Sequence, residues 1–198
     1  MPSPLILASA SPRRRQLLEQ LGLAFVIAEQ DIDESRRSGE PALDYVQRMA
    51  REKAASALIS QKSDAIVIAA DTSVICDDEV LGKPVDERDA LRMLRQLSGR
   101  EHTVLSAVVV ARGGEQHATV SASIVRFRQI SDGEAAAYWR TGEPLGKAGG
   151  YAIQGYGAVF VQQLQGSYSG VMGLPLFETA ALLQEFGISC LPVEAAHA

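Results

Sequence analysis

Residues 4–15, Pro4-Leu-Ile-Leu-Ala-Ser-Ala-Ser-Pro-Arg-Arg-Arg15, carry the chain from an apolar run straight into a basic one. Residues 5–8 read as a short buried strand. Ser11 has the character of an N-cap, and Pro12 fits the first position of a helix. A strand therefore passes directly into a helix whose first turn holds Arg13, Arg14 and Arg15. The positive end of the helix dipole repels each cation by roughly 0.3–1 kcal/mol, and the three repel one another. An anion held by free backbone N–H groups and guanidinium forks would offset both costs, and phosphate is the obvious one. A solvated basic turn that tolerates the repulsion is the other reading.

Outward from this stretch, strands and helices alternate. The first helix spans residues 12–21 and stops at Gly22. A short strand covers 25–28, and the polar segment 31–39 reads as a loop. Pro41 opens a long helix that reaches residue 60. Residues 65–75 make a strongly apolar strand. Asp77-Asp78 marks a tight turn from which Val80-Leu81 returns. An amphipathic helix at 86–97 ends at Ser98-Gly99. Two long strands, 102–112 and 117–127, flank Gly113-Gly114, a hairpin signal. Ser131 and Glu134 form a capping box for a helix ending at Arg140. Six glycines within residues 142–157 imply a loop or a series of turns. A strand at 159–164 follows, then a closing helix at 175–186 stopped by Gly187, and a tail after Pro192 that is expected to fray. The alternation implies an α/β fold: a mixed sheet with helices on its faces.

With 198 residues, 46% of them hydrophobic and 22% charged, the chain has an ordinary globular composition. Its length suits a single domain over residues 1–198, or two lobes sharing a core. A net charge of −5 argues against broad nucleic-acid binding, and makes a local basic cluster more informative. No uncharged apolar stretch is long enough to cross a membrane, and the N-terminus lacks a signal-peptide pattern. Cys76 and Cys190 are too few for a disulfide framework and read as free thiols in a reducing cytoplasm. His102, His117 and His197 are scattered and carry no zinc spacing.

Several residues break the pattern. Lys53 falls on the apolar face of the long helix with Val46, Met49, Ala50, Ala54 and Ala57. It must either snorkel out or meet an anion. Asp71 interrupts an apolar strand, and an aspartate there is a metal ligand, a general base or a cap on backbone N–H groups. Asp31, Asp33 and Glu34 crowd one loop; folded towards Asp71, they could share magnesium with phosphate oxygens and waters. Lys83, between Gly82 and Pro84, sits on rigid non-helical backbone. Lys147 and Gln154 project from the glycine-rich segment, which fits neither the Walker pattern nor the dinucleotide fingerprint. Gln154 can offer both a donor and an acceptor to a base edge. Arginines at a helix start, isolated lysines and carboxylates suited to magnesium together suggest phosphoryl transfer or polyphosphate hydrolysis.

The chain resembles the Maf family of nucleoside triphosphate pyrophosphatases from Leu5 to about Phe186. The resemblance rests on Ala8-Ser-Ala-Ser-Pro-Arg-Arg, Arg51-Glu-Lys-Ala, Ala69-Ala-Asp-Thr, Leu81-Gly-Lys-Pro, Lys147-Ala-Gly-Gly-Tyr-Ala-Ile-Gln-Gly and Gly173-Leu-Pro-Leu, in that order. It implies an elongated, curved mixed sheet with two lobes around a cleft, the inosine triphosphatase-like architecture. It implies metal-dependent hydrolysis between the α and β phosphates, in a cytoplasmic homodimer. By matching position, Arg13, Arg14, Lys53 and Lys83 would hold phosphates and Ser9 would shape the phosphate loop. Glu34 and Asp71 would bind magnesium or manganese and direct the attacking water. Thr72 and Gln154 would contact the nucleotide. The segment Ala152-Ile-Gln-Gly and the later Gly166-Ser-Tyr resemble the branch acting on dTTP and UTP. Ser73, where an apolar residue is usual, and Gly146, where that branch often has Asp, depart from the pattern. The alternatives are 7-methyl-GTP as substrate, or a septation-inhibiting binding protein regulated by nucleotide.

Overall fold

The apolar run after residue 65 becomes the axis of the molecule. In the computed structural model, which describes residues 3–60 and 64–191, it forms an eleven-residue strand, β3 (Ile66–Cys76). The tail after Pro192, and with it His197, lies outside the described residues. β3 pairs in parallel with β1 (Leu5–Leu7), which pairs in parallel with β2 (Val26–Ile27). On its other edge β3 runs antiparallel to β5 (Glu101–Arg112), then β6 (Glu115–Phe127) and β7 (Val161–Gln165) follow antiparallel. β4 (Glu79–Leu81) returns along β3 through a two-residue turn. Asp77 and Asp78 take φ of 49° and 64° there, the two left-handed positions that such a hairpin demands. The result is the expected mixed sheet, seven strands in all, with helices on both faces.

This topology leaves a gap that positions everything else. β1 pairs with residues 66–68 of β3, and β4 pairs with residues 74–76 on the same edge. Residues 69–73 have no strand partner on that side, while β5 holds the other edge without interruption from Val67 to Ile75. Side chains of β3 alternate between the faces. Val67 and Ala69 pack under the long helix α2 (Ala42–Ser60), whereas Ile68 and Ala70 pack under α1 (Pro12–Glu19) and α6 (Leu176–Glu185).

The buried face of α2 comprises Val46, Met49, Ala50, Lys53, Ala54 and Ala57, the stripe that the spacing predicts, lysine included. Its alanines let the helix approach the sheet closely. A further core lies between the far half of the sheet, α3 (Glu87–Leu97) and α4 (Asp132–Arg140), with Leu94, Leu97, Phe127 and Phe160 at its centre. Each such side chain contributes about 1.5–3 kcal/mol by leaving water. No helix among the described residues is long and apolar enough to cross a membrane.

Several boundaries differ from the sequence reading. The strand expected at 25–28 shrinks to two exposed residues because β2 is a sheet edge held only by β1. The second hairpin strand starts at Glu115, since a two-residue turn lets Arg112 pair with Glu115 at once. The strand expected at 159–164 begins at Val161, because Tyr156–Phe160 winds as a 3-10 turn. A five-residue helix, α5 (Tyr168–Met172), stands where no element was expected.

His102 is buried in the far core, edge-on to Phe127 and Tyr151, with Nε2 2.8 Å from Tyr151 Oη and Nδ1 unpartnered. Burial pushes its pKa from 6.5 down to about 4. The unfolded chain thus binds this proton first as pH falls, so the stability held above pH 6.5 is lost on the way to pH 4. Between pH 7 and 4.5 the loss from this residue should be roughly 2–3 kcal/mol. Denaturant melts of the wild type and His102→Leu at both pH values check this. The wild type should lose that much more than the variant, and equal losses would refute it.

Candidate active site

Beside the gap in the β3 edge lies a cleft of about 620 Å³. Ser9, Arg13, Arg14, Glu34, Lys53, Asp71, Thr72, Lys83 and Gln154 all line it. Asp71 and Thr72 are neighbours on β3 and therefore point to opposite faces, yet both reach the cleft because the strand edge between them is open. Asp71 turns towards α2 and Thr72 towards α1.

On the α2 side, Lys53 Nζ lies 2.7 Å from Asp71 Oδ1 and 2.7 Å from Glu34 Oε1. Lys83 Nζ reaches Glu34 Oε2 at 3.1 Å. Lys53 and Asp71 are buried, at 7% and 8% exposure, so the lysine meets anions instead of snorkelling out. Burial is the largest single influence on the Glu34 carboxyl and opposes its ionisation. The hydrogen bonds and charges of Lys53 and Lys83 together outweigh it and hold the group down at about 2.

The acidic loop is held by α2. Tyr45 Oη donates to the Glu34 carbonyl at 2.9 Å. Arg48 forks onto both oxygens of Glu40 at 2.6 and 2.8 Å and donates to the Ser35 carbonyl at 3.0 Å. Burial first, then the Asp71 and Glu34 charges, push the Tyr45 phenol up to about 12. Of the three loop acids, Glu34 alone lines the cleft. Asp33 instead accepts from the Ser35 backbone N–H at 2.9 Å.

On the α1 side, Ser11 occupies the N-cap position, but its hydroxyl caps nothing, and no acid stands in the first turn. Arg14 Nε donates to the Gly173 carbonyl at 2.8 Å, with Ser9 Oγ at 3.4 Å and Thr72 Oγ1 at 3.3 Å from its other nitrogens. Thr72 Oγ1 is 3.0 Å from Ser106 Oγ, which donates to the Gly170 carbonyl at 2.6 Å. Burial lowers the pKa of Arg14, an effect that Asp71 partly opposes. Arg13 also faces the cleft, whereas Arg15 pairs with Glu19 at 2.8 Å on the exposed side of α1.

The glycine-rich segment forms the third wall with Lys147 and Gln154. Gly149 has φ of 68°, donates to the Gly82 carbonyl at 3.0 Å, and lies where a Cβ would meet Val74 at 3.0 Å. Only glycine lets this loop lie so close to β3. The Ser73 departure leaves the strand intact: it is buried and keeps its register with Leu105. Gly146 has φ of 68° and open space around it. Tyr45 and Ser106 break no local pattern in the sequence, and Gly173 is marked there only within a family motif, yet all three hold the site from distant points of the chain.

Five cationic side chains face two carboxylates in the cleft, a net formal charge of +3 in a chain of −5. Such a concavity focuses positive potential and attracts polyanions. Two carboxylates are what magnesium asks of a protein when substrate phosphates and waters complete its shell. Among the described residues no group of three or more metal-ligating side chains gathers. The donor set therefore fits a cation shared with a phosphate ligand.

A family model described as Maf-like protein matches residues 4–186. A dTTP/UTP pyrophosphatase of Methylococcus capsulatus is 53% identical over 93% of this chain and 91% of its own length. The dTTP/UTP pyrophosphatases of Vibrio parahaemolyticus and Hahella chejuensis are each 50% identical, over 92% and 93% of this chain and 96% and 92% of theirs. Among solved structures, a nucleoside-triphosphatase / dITP/XTP pyrophosphatase from Mycobacterium abscessus is 17% identical over 93% of this chain and 96% of that one, with a TM-score of 0.45.

Removing the ammonium tests the electrostatics. Lys53→Met leaves two carboxylates facing each other without their shared cation, which should destabilise the fold by on the order of 3 kcal/mol. The Glu34 carboxyl should rise from about 2 towards its usual 4.5, as followed by carboxyl NMR titration. Its depressed value contributes stability that is present above pH 4.5 and lost as pH falls towards 2, and the variant, left with Lys83 alone, should show a weaker dependence. An unmoved titration would place the charge holding Glu34 elsewhere.

Proposed function

The chain belongs to the Maf family, and on that premise we propose that it is a nucleoside triphosphate pyrophosphatase. It hydrolyses dTTP and UTP, and modified pyrimidine triphosphates, to the monophosphate and pyrophosphate. The observation that carries this reading is the Lys53 ammonium, shared by Glu34 and Asp71 across a cleft whose other wall is the arginine-bearing start of α1. The names of relatives at about half identity support the substrate class.

In this reading the oxygen of a water bonds to the α phosphorus, and the bond from that phosphorus to the α–β bridging oxygen breaks. Pyrophosphate leaves with the bridging oxygen. Asp71 takes the proton of the attacking water, and Lys53 fixes the direction of its carboxylate. Arg13, Arg14 and Lys83 bind the phosphates and stabilise the charge that grows on the leaving group. Ser9 and the uncapped N–H groups of α1 seat the same oxygens. Thr72 and Gln154 contact the nucleotide, and Gln154 supplies a donor and an acceptor to the base edge. Glu34 and Asp71 would hold a divalent cation, magnesium or manganese, which neutralises phosphate charge and acidifies bound water. The family resemblance also supports reading the protein as a cytoplasmic homodimer.

Pyrophosphate release from dTTP, UTP, CTP, 7-methyl-GTP and ITP, with metal and with chelator, tests the proposal. Release led by dTTP and UTP and abolished by chelator is expected. Release led by 7-methyl-GTP would overturn the base assignment, and none from any substrate would overturn the reaction. Asp71→Asn should lower kcat by at least about 10²-fold. An unimpaired variant would remove Asp71 from the mechanism.

A further inference from the structure

We infer that Glu143 is a positioning residue that sets which base the cleft admits, acting through the turn that carries Gln154; this rests on the pyrophosphatase reading above. Glu143 does not itself line the cleft. Its Oε1 accepts from Tyr138 Oη at 2.6 Å and from the Gly157 N–H at 2.9 Å, and its Oε2 accepts from the Tyr156 N–H at 2.8 Å. Tyr138 Oη in turn accepts from the Ala152 N–H at 3.0 Å. Both ends of the segment 152–157 thus hang on one acid–phenol pair. Gln154 stands in its middle, on the cleft.

The local sequence reserves room for this pair. A Cβ on Gly155 would fall 2.0 Å from Glu143 Oε2, and one on Gly157 would fall 2.7 Å from Tyr138 Oη. Tyr138 is itself fixed by edge-on packing against Phe160. Burial, the largest influence on the Glu143 carboxyl, opposes its ionisation, but the three hydrogen bonds and the Lys147 charge hold it below the usual range. Charge-assisted bonds of this kind are about twice as strong as neutral ones. Arg13, Arg14, Lys53 and Lys83, the cations assigned to the phosphates and to Asp71, lie on other elements, so loosening this turn displaces the Gln154 amide and leaves them in place.

In Glu143→Gln an amide nitrogen meets an N–H or O–H donor on one side, so at least one of the three bonds is lost. The ratio of kcat/KM for UTP to that for GTP should fall about tenfold, the size of one such bond. The fall should come from a raised KM for UTP, with kcat within about twofold. Gly155→Ala, whose new methyl group displaces the same carboxylate from the opposite side, should lower the ratio similarly. Tyr138→Phe, which removes both the bond to Glu143 and the one accepted from the Ala152 N–H, should give a fall at least as large and stands in if the other variants fail to fold. Calorimetric binding of UMP and GMP repeats the comparison without an anhydride to cleave. A wild type that prefers UMP but releases no pyrophosphate sinks the hydrolysis reading, while the UMP-to-GMP ratio in the variants still decides the role of Glu143. An unchanged ratio in folded variants, an equal loss for both bases, or a wild type without base preference overturns the positioning role.

Discussion

One ammonium group holds the site together. Lys53 stands on a helix face that is otherwise alanine, valine and methionine, where an unpaired charge would cost several kcal/mol. It is tolerable because Asp71 comes from the strand below and Glu34 from a loop above, each at 2.7 Å. The converse also holds: two carboxylates this close would repel without the cation between them. Helix, strand and loop are therefore mutually dependent. The alanines that bring α2 close to the sheet are part of the same arrangement, because they set the depth at which the lysine meets the aspartate.

The two walls of the cleft are built on different physics. The α2 wall is a compensated cluster, in which each charge has an opposite partner and the geometry is fixed by ion pairs. The α1 wall is uncompensated: an uncapped helix start, a desolvated Arg14 whose partners are a carbonyl and hydroxyls, and Arg13 with no carboxylate beside it among the described residues. An anionic ligand gains most at the second wall and chemistry is organised at the first. That division explains why an acidic protein keeps a positive concavity.

Much of this was legible along the chain wherever a local period was broken. Lys53 disturbs a 3.6-residue apolar stripe and Asp71 an apolar strand, so both stand out at once. From the residues alone Glu34 was legible only as one of three acids, and only the family resemblance picked it out. Its selection depends on Tyr45 and Arg48 clamping the loop from 11 and 13 residues away, and no local pattern encodes that. Arg14 meets the Gly173 carbonyl across 159 positions, a relation set by how α1 and α5 meet. The five residues of α5 are too few to display a helical period. Its only signal is the Ser167 cap, whose hydroxyl accepts from the Gly170 N–H. The edge strand β2 was overestimated because apolar residues look alike in a core strand and a rim strand.

The interrupted edge of β3 carries a further consequence. Five residues of a central strand lie beside the cleft with no strand on that edge, and open edges of this kind are templates on which other chains add strands and aggregate. Here the opening is no longer than an average strand, recessed below α1 and α2, and studded with Asp71, Lys53 and Arg14. A hydrophobic strand from another molecule would have to strip water from those charges before its first backbone bond formed. The groups that the site needs also guard the sheet, so neutralising them would tax solubility as well as activity.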